Sequence, residues 1–511
     1  MKHKKGLFRT ACAAMSAVML FSSIPAVSAA PVDDIAISNP YANIDWADIN
    51  QYKTALHTHT NASDGDQTLR ESLERHYETG YDVVAITDHG TVDYSWSDKD
   101  AGSKFIGKAL KLVGRTDFNL DYLGESGSFS KGMTYKMVNK KGDDYLVTGD
   151  GKEILKIPYG IENNAVSVNA HVNSWFADFA NNAPCDYKNA VKGVDKAGGL
   201  SIINHPGEYS DARYELYTED AYNLDNAAYR YFFQKIYGLV MKYDSCLGVD
   251  INSKGDDRTR NDRKFWDLML TKAAESGKTV YAIATSDAHQ LDKIDTGCTY
   301  ILAKNKTSAD IKNALQNGEF FASSTCIQNG DELAQIAAAL KEFYGESNAL
   351  YQTIADVSAR YEAERAAKAQ TAKKSNVGVK YTALDNEGYL RTATRPEIKS
   401  VTVNDTENTI RIKSKNAVIV RWISDGKLIA TTKASNGKID LDDYKDVLGG
   451  YVRAEVFGEG GMMYTQSFTI NADQKTEHKN ITINLGMFDF IIMDLNMYFG
   501  LLGRGIKNLF N

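Results

Sequence analysis

The sequence predicts an α/β protein, a barrel or a doubly wound sheet over residues 51–324, followed by a helical segment and a small antiparallel β-sandwich. Three observations carry this expectation. Between 51 and 324 short apolar runs alternate with stretches of helical period, and the runs VVAI, LSII and VYAIAT are continuous, as suits parallel strands buried on both faces. Residues 331–375 are rich in Ala, Glu, Leu and Lys at helical spacing. From Arg395 to about Ile470 apolar residues recur at every second position, with turn residues between the runs.

Residues 1–30 read as a secretory signal peptide: a basic MKHKKGLFR, an apolar stretch from Ala11 to Ile24, then the small residues Val27-Ser28-Ala29-Ala30 where a peptidase cuts. A secreted or cell-surface protein is expected. Ser16, Ser22 and Ser23 break the stretch, which is short for a bilayer span and weighs against an uncleaved anchor. Arg9 stands where lipidation at Cys12 would want an apolar residue.

The α/β part, residues 31–325, is expected to hold a helix over 67–79 and strands over 81–87, 200–203, 246–251 and 279–285. An insert over 93–156, rich in Gly, Lys and Asp, reads as a β-excursion of three short strands on the rim. A connector over 326–390, with one or two amphipathic helices acting as spacer or packing collar, leads to residues 391–475. There Asp425-Gly426 is a two-residue hairpin signal and Gly458 to Gly461 marks a second hairpin, the pattern of an immunoglobulin-like accessory sandwich. The tail, 476–511, is apolar but interrupted by Asp489, Asp494 and Arg504. It suits a helix that contacts a membrane surface or partner, or one folded back on the protein.

At 511 residues, 43% hydrophobic and 24% charged, the composition excludes collagen-like, mucin-like and polytopic membrane classes and suits roughly two to four domains. The net charge of -7 becomes -11 once the four cationic residues Lys2, Lys4, Lys5 and Arg9 are set aside, so non-specific nucleic-acid binding is not expected. Cys185, Cys246, Cys298 and Cys326 are too scattered for a zinc site; buried thiols are expected, with one long-range disulfide as the alternative.

The histidines carry the chemistry. Of nine, six fall in the α/β part: His57, His59, His89, His171, His205 and His289. Five of these end strand-like runs, in ALHTHT, VVAITDH, LSIINHP and YAIATSDAH, and PYGIE places Glu162 in the same way. In (β/α) barrels the carboxyl ends of the strands meet on one face, so these side chains should converge although they are far apart in sequence. His57 and His59, two apart on a strand, point the same way and can share an ion. Asp64, Asp88, Glu162 and Asp287 add oxygen ligands, and such a mixed set suits Zn, Mn or Fe better than Mg or Ca. A lone histidine at a strand end is ordinarily a hydrogen-bonded rim residue, and His76 and His478 are read so. For the set that reading fails, because packing would place Val, Ile or Leu at those ends. Asp82, Asp93 and Asp98 read as solvated loop charges.

His57-Thr58-His59-Thr60 with Ser63-Asp64-Gly65, then Thr87-Asp88-His89-Gly90-Thr91, Asn204-His205-Pro206 and Ser286-Asp287-Ala288-His289 resemble, in family order, the four motifs of the PHP (polymerase and histidinol phosphatase) family of metal-dependent phosphoesterases. The resemblance covers about residues 50–325. It implies a distorted (β/α)7 barrel, related to the TIM barrel, with two or three divalent ions. It implies His57, His59, Glu162 and Asp287 around one ion, Glu162, His171 and His205 around a second, and Asp64, His89 and His289 around a third, with Glu162 as the bridge. Asp250 stands where the family often has a Glu. The implied reaction is hydrolysis of a small phosphomonoester or nucleotide by a metal-bridging hydroxide, the leaving group being protonated by His205 or His289 if released from metal binding, or equally by a nearby Asp or a metal-bound water.

A phosphate also wants cationic clamps. Arg258, Arg260 and Arg263 lie in GDDRTRNDRK just after the strand that ends near Asn252, which makes Asn252, Arg258 and Arg260 candidate substrate contacts. The competing view of that segment is a solvated loop balanced by Asp256, Asp257 and Asp262. Two rival functions stand beside the phosphoesterase: a metal hydrolase of the amidohydrolase type, and a secreted binding protein that uses the barrel as a scaffold.

Overall fold

The computed structural model describes residues 35–98, 122–163, 170–180, 187–209, 224, 227–251, 260–325, 330–372 and 393–471. Residues 1–30, expected to be a signal peptide, the tail with His478, and Cys185, Cys326, Asn252 and Arg258 lie outside them. Within them the chain is a mixed α/β fold, and no described helix is long and apolar enough to cross a membrane.

After a short strand β1 (Ile37–Ser38), β2 (Asn50–Ala55) runs into the first histidine motif. Helix α1 (Leu69–Glu78) starts at Thr68, whose side chain accepts from Glu71 N while the Glu71 carboxylate accepts from Thr68 N, a capping box that stops the chain from continuing as strand. β3 (Val83–Val84) then lies parallel to β2.

His76 in α1 is structural, as the sequence suggests. It is fully buried, its Nδ1 lies 2.7 Å from Ser72 O, and its ring packs edge-on against Tyr81. Burial pushes its pKa down to about 4 from an ordinary 6.5. The unfolded chain therefore binds a proton that the folded chain refuses between these values. Its contribution is complete above about pH 6.5 and falls away as pH drops toward 4, a change of about 3 kcal/mol. His76→Gln should flatten that part of the stability profile, measured as the difference between urea unfolding at pH 7 and pH 4.5; an unchanged profile would contradict the assignment.

The insert forms an antiparallel meander of β4 (Ser126–Ser128), β5 (Thr134–Lys140), β6 (Asp143–Thr148) and β7 (Glu153–Lys156). Among the described residues there are four strands rather than three. The meander also extends the main sheet instead of crowning a rim, because β7 pairs in parallel with β3 at Val83 and Val84, well before the ligand-bearing His89. Asp93 is not a solvated loop charge. Its carboxylate is buried against Lys156 Nζ at 3.4 Å and accepts from Trp96 Nε1 at 3.0 Å.

A second sheet holds β8 (Ile161–Asn163), β9 (Val172–Trp175), β10 (Leu200–Ile203), β11 (Cys246–Asp250) and β12 (Tyr281–Ile283), in the order β12-β11-β10-β9-β8. β10, β11 and β12 are parallel, and β9 is antiparallel to both its neighbours. Two single parallel bridges, Thr58 to Ala288 and His89 to Glu162, join this sheet to the continuations of β2 and β3. Helices α2 (Tyr187–Lys196), α3 (Pro206–Tyr209), α4 (Ala227–Lys242) and α5 (Arg260–Ala274) follow in chain order. Phe232, Phe233, Ile236, Phe265, Trp266 and Met269 from α4 and α5 share a core with Val249 and Ile251. Cys246 and Cys298 are buried free thiols.

β13 (Gly297–Ala303), α6 (Ser308–Asn317) and β14 (Phe320–Ser324) complete this part, with β13 antiparallel to both β2 and β14. The connector holds two helices, α7 (Gly330–Tyr344) and α8 (Ala349–Ala372), whose Leu333, Ile336, Leu340, Ile354 and Val357 join the core of α4 and α5. Beyond them β15 (Glu397–Asn404), β16 (Thr409–Lys415) and β19 (Lys438–Asp440) form a three-stranded antiparallel sheet. β17 (Ile419–Ser424) and β18 (Lys427–Lys433) form the expected hairpin, with Asp425 and Gly426 at φ 45° and 71°, as a primed turn requires.

β20 (Tyr451–Gly458), β21 (Gly461–Tyr464) and β22 (Phe468–Ile470) change the expected picture of a self-contained sandwich. β21 pairs antiparallel with β14, and β1 pairs with β22, so one layer of these strands is continuous with the sheet of the α/β part. The edge of β14 is thereby satisfied by backbone from the C-terminal strands.

A buried polar seam reinforces this join. Arg453 Nε and Nη2 donate to both oxygens of Asp267 on α5, at 2.7 and 2.8 Å, and Arg453 Nη1 donates to Glu455 at 2.7 Å. Tyr451 OH donates to Asp267 at 2.7 Å, and Arg421 pairs with Glu455. Arg263 is part of this seam and not of a solvent-facing loop: its Nη1 donates to Glu332 at 2.7 Å and to Tyr464 OH. That placement removes it as a phosphate clamp.

Candidate metal centre

The ligand-type side chains stand at one end of the two linked sheets. Backbone hydrogen bonds tie their positions together: His59 N to Ala288 O, Thr87 N to Thr58 O, Gly90 N to Glu162 O and Asn204 N to His171 O. His171 reaches the same place by a different route from the others. It precedes β9, and because β9 runs antiparallel, the start of that strand lies beside the ends of its neighbours.

All nine proposed ligands, His57, His59, Asp64, His89, Glu162, His171, His205, Asp287 and His289, enter clusters whose ligand atoms lie within 4.8 Å of one another. His57 and His59 present Nε2 atoms 3.0 Å apart, each 3.0 to 3.2 Å from Asp287 Oδ1. Glu162 Oε2 faces three ring nitrogens, His89 Nδ1 at 2.9 Å, His59 Nε2 at 3.3 Å and His57 Nε2 at 3.4 Å. Its other oxygen lies 2.9 Å from His171 Nδ1 and 3.6 Å from His205 Nε2. At the mouth, Asp64 Oδ1 lies 3.2 Å from His289 Nε2 and 3.5 Å from His89 Nε2.

The grouping differs from the implied one in two respects, the first being that Glu162 falls outside the cluster of His57, His59 and Asp287. Asp64, His89 and His289 fall together, as do His57, His59 and Asp287, but His171 and His205 sit in separate clusters, each sharing Glu162. Glu162 is a member of the clusters with His57 and His205 and with His89 and His171, and its Oε2 also lies 3.3 to 3.4 Å from His59 and His57 of the Asp287 cluster.

Burial and charge oppose each other here. Burial pushes Glu162 upward, but the imidazoles of His171, His89 and His57 hold it well below the usual carboxylate range. Burial lowers His57 despite Asp287 and Glu162, and brings His171 down to about 4. At His59 burial is outweighed by hydrogen bonds and charge from Asp287 and Glu162, which raise its pKa. Glu162 Oε2 is a buried oxygen with no hydrogen-bond partner among the described residues, although nitrogens surround it. A divalent cation would satisfy this oxygen and the ring nitrogens around it together, and the donor set fits one.

The supporting residues are partly unexpected. Asp88 is not placed as a ligand: its carboxylate accepts from Thr60 N, Thr60 Oγ1 and Ser63 Oγ at 2.6 to 2.7 Å, fixing the loop that carries Asp64. Gln67 Nε2 bonds His59 O and Ala288 O, stapling two motifs, and Asn204 Nδ2 donates to Glu162 Oε1 at 2.6 Å. Asp250 stands behind His57, its carboxylate 4.0 Å from Nδ1 and bonded by Thr285. Gly65 has to be glycine, since a Cβ there would come within 2.9 Å of the His59 and Thr60 backbone. His205 and Asp287 hold φ of 26° and 43°, a left-handed backbone that costs about 1 to 3 kcal/mol and concentrates at functional sites. Of the candidate substrate contacts, Asn252 and Arg258 lie outside the described residues and Arg260 opens α5.

No protein-family model and no curated protein matches the sequence. Among solved structures it is similar to a two-domain protein of Bacteroides vulgatus containing a predicted PHP-like metal-dependent phosphoesterase, at 14% identity over 86% of this chain and 91% of that one, TM-score 0.31. It is also similar to the lesion-specific endonuclease PfuEndoQ of Pyrococcus furiosus, at 12% identity over 52% of this chain and 56% of that one, TM-score 0.29. A third is an amidohydrolase of Chromobacterium violaceum, at 13% identity over 46% of this chain and 87% of that one, TM-score 0.22. At such TM-scores the functional reading rests on the side chains.

Proposed function

We propose that this chain is an exported hydrolase that uses two or three divalent ions, Zn, Mn or Fe, to cleave a small phosphomonoester or nucleotide. The observation that carries the reading is the convergence of six imidazoles and three carboxylates at one end of the linked sheets, with Glu162 Oε2 buried among ring nitrogens. The distorted (β/α)7 barrel is supported by the ring β2-β3-β8-β9-β10-β11-β12, in which the Thr58 to Ala288 and His89 to Glu162 bridges join the ends.

Bound ions would supply Lewis acidity toward the phosphoryl oxygens and a water acidified enough to attack phosphorus. His57, His59 and Asp287 form the buried floor, and Glu162 links it to His89, His171 and His205. The mouth is open at His289 and Asp64, whose side chains are 32% and 22% exposed. His289 Nδ1 lies 2.9 Å from Asp287 O, which orients the ring so that Nε2 faces the mouth. Of the two histidines considered for leaving-group protonation, His205 is 1% exposed, whereas His289 lies at the mouth and could serve once its Nε2, which faces Asp64, is released from metal binding.

The test is elemental analysis of the purified protein, paired with phosphate release from a panel of phosphomonoesters and nucleotides. Two or three ions per chain with phosphate release are expected. Tightly bound metal with no release from any substrate would favour the amidohydrolase type. Less than one ion per chain after loading with Zn or Mn would sink the metal centre.

A further inference from the structure

His205 carries one of the left-handed backbones of the site, and such a conformation persists only where neighbouring structure over-determines it. The peptide two residues on is held firmly. Gly207 N donates to Asp262 Oδ1 at 2.6 Å in a buried setting, a charge-assisted bond at the short end of the range. Asp262 lies in the first turn of α5, where the helix dipole also favours its charge. It is fully buried, not one of the solvated acids its sequence context suggests.

The rest of α5 is fixed from the opposite side by the C-terminal strands. Asp267 receives Arg453 and Tyr451, Arg263 bonds Tyr464, and Arg453 stacks over the Trp266 ring at 4.8 Å. A continuous path of buried groups thus runs from β20 through Asp267 and α5 to Asp262, Gly207 and His205.

We infer that Asp262 is a positioning residue of the metal centre: it clamps the Pro206-Gly207 turn so that His205 Nε2 faces Glu162 and Asp287, and the C-terminal strands serve the centre by holding the helix that carries it. The inference rests on the reading of His205 as a metal ligand. It gives the C-terminal strands a part in the site where the sequence suggests an accessory module.

Affinity for Mn and Zn, by competition with a chelator, and ions per chain test it in the full-length protein for wild type, Asp262→Ala, Asp262→Asn, His205→Ala and the Asp262→Ala/His205→Ala double variant. Asp262→Ala should weaken the ion that depends on His205 by about 10- to 100-fold, the range for partners that orient a ligand. Asp262→Asn keeps a neutral acceptor for Gly207 N and should recover most of that loss. In the His205→Ala background the Asp262→Ala change should add nothing, which a merely structural role would not produce. If Asp262→Ala does not fold, Asp262→Ser, too short to reach Gly207 N, takes its place with the same expectation. Equal affinity in wild type and the Asp262 variants, or losses that add in the double variant, would overturn the inference alone. Wild-type protein that binds no ion would instead overturn the metal-centre reading, and the inference with it.

Discussion

Glu162→Ala is expected to abolish tight binding of at least one ion and to lower phosphate release by more than about 100-fold. That figure is the upper end of what loss of an outer partner of a metal ligand costs, and Glu162 is placed as a ligand shared between sites. One oxygen faces His57, His59 and His89 and the other faces His171 and His205. Five imidazoles therefore depend on one carboxylate for charge balance, and no other acid is so central: Asp64 serves the mouth and Asp287 the floor. Glu162→Asp keeps the charge but withdraws it by one methylene, so its loss should be smaller. Elemental analysis and initial rates decide the matter; a Glu162→Ala protein with its full complement of metal and wild-type rates would remove Glu162 from the centre.

Arg453→Met is expected to destabilise the fold by about 3 to 5 kcal/mol, the cost of leaving a buried charge without its partner. Asp267 would lose both nitrogens that bond its two oxygens and retain Tyr451 OH, and Glu455 would lose its bond from Arg453 while keeping its ion pair with Arg421. A double variant, Arg453→Met with Asp267→Leu, should recover much of the loss, because an apolar pair of similar volume replaces a buried ion pair at little net cost. Thermal or urea unfolding measures both, and their coupling is the informative quantity. Losses that simply add would show that the pair does not act as a unit.

Much of the candidate site is legible in the sequence because its signals are local. His57 and His59 are two apart just beyond β2, Thr87 to Thr91 just beyond β3, and Asp287 with His289 just beyond β12. Thr68 with Glu71, and Asp425 with Gly426, are likewise signals complete within four residues. Gln67 gave no signal of its own, since what it supports is backbone brought together by folding.

The sequence by itself determined the alternation of strands and helices, the hairpins, and most of the side chains of metal-ligand type that come together, since backbone periodicity, turn conformation and side-chain type act over a few residues. Only the tertiary structure decided what the remaining charges do. Asp88, a candidate ligand in the sequence, became a loop anchor, while Asp93 became a buried partner of Lys156 and Arg263 and Asp262 parts of a buried helix, although these three look like loop charges in sequence. The fate of a charge depends on whether a partner from a distant segment compensates its desolvation, and Glu332 and Gly207 lie 69 and 55 residues away from the groups they meet. The same holds for the C-terminal strands: their period-two pattern specifies strands, but the open edge of β14 and the arginines of the seam decide that they continue the α/β sheet.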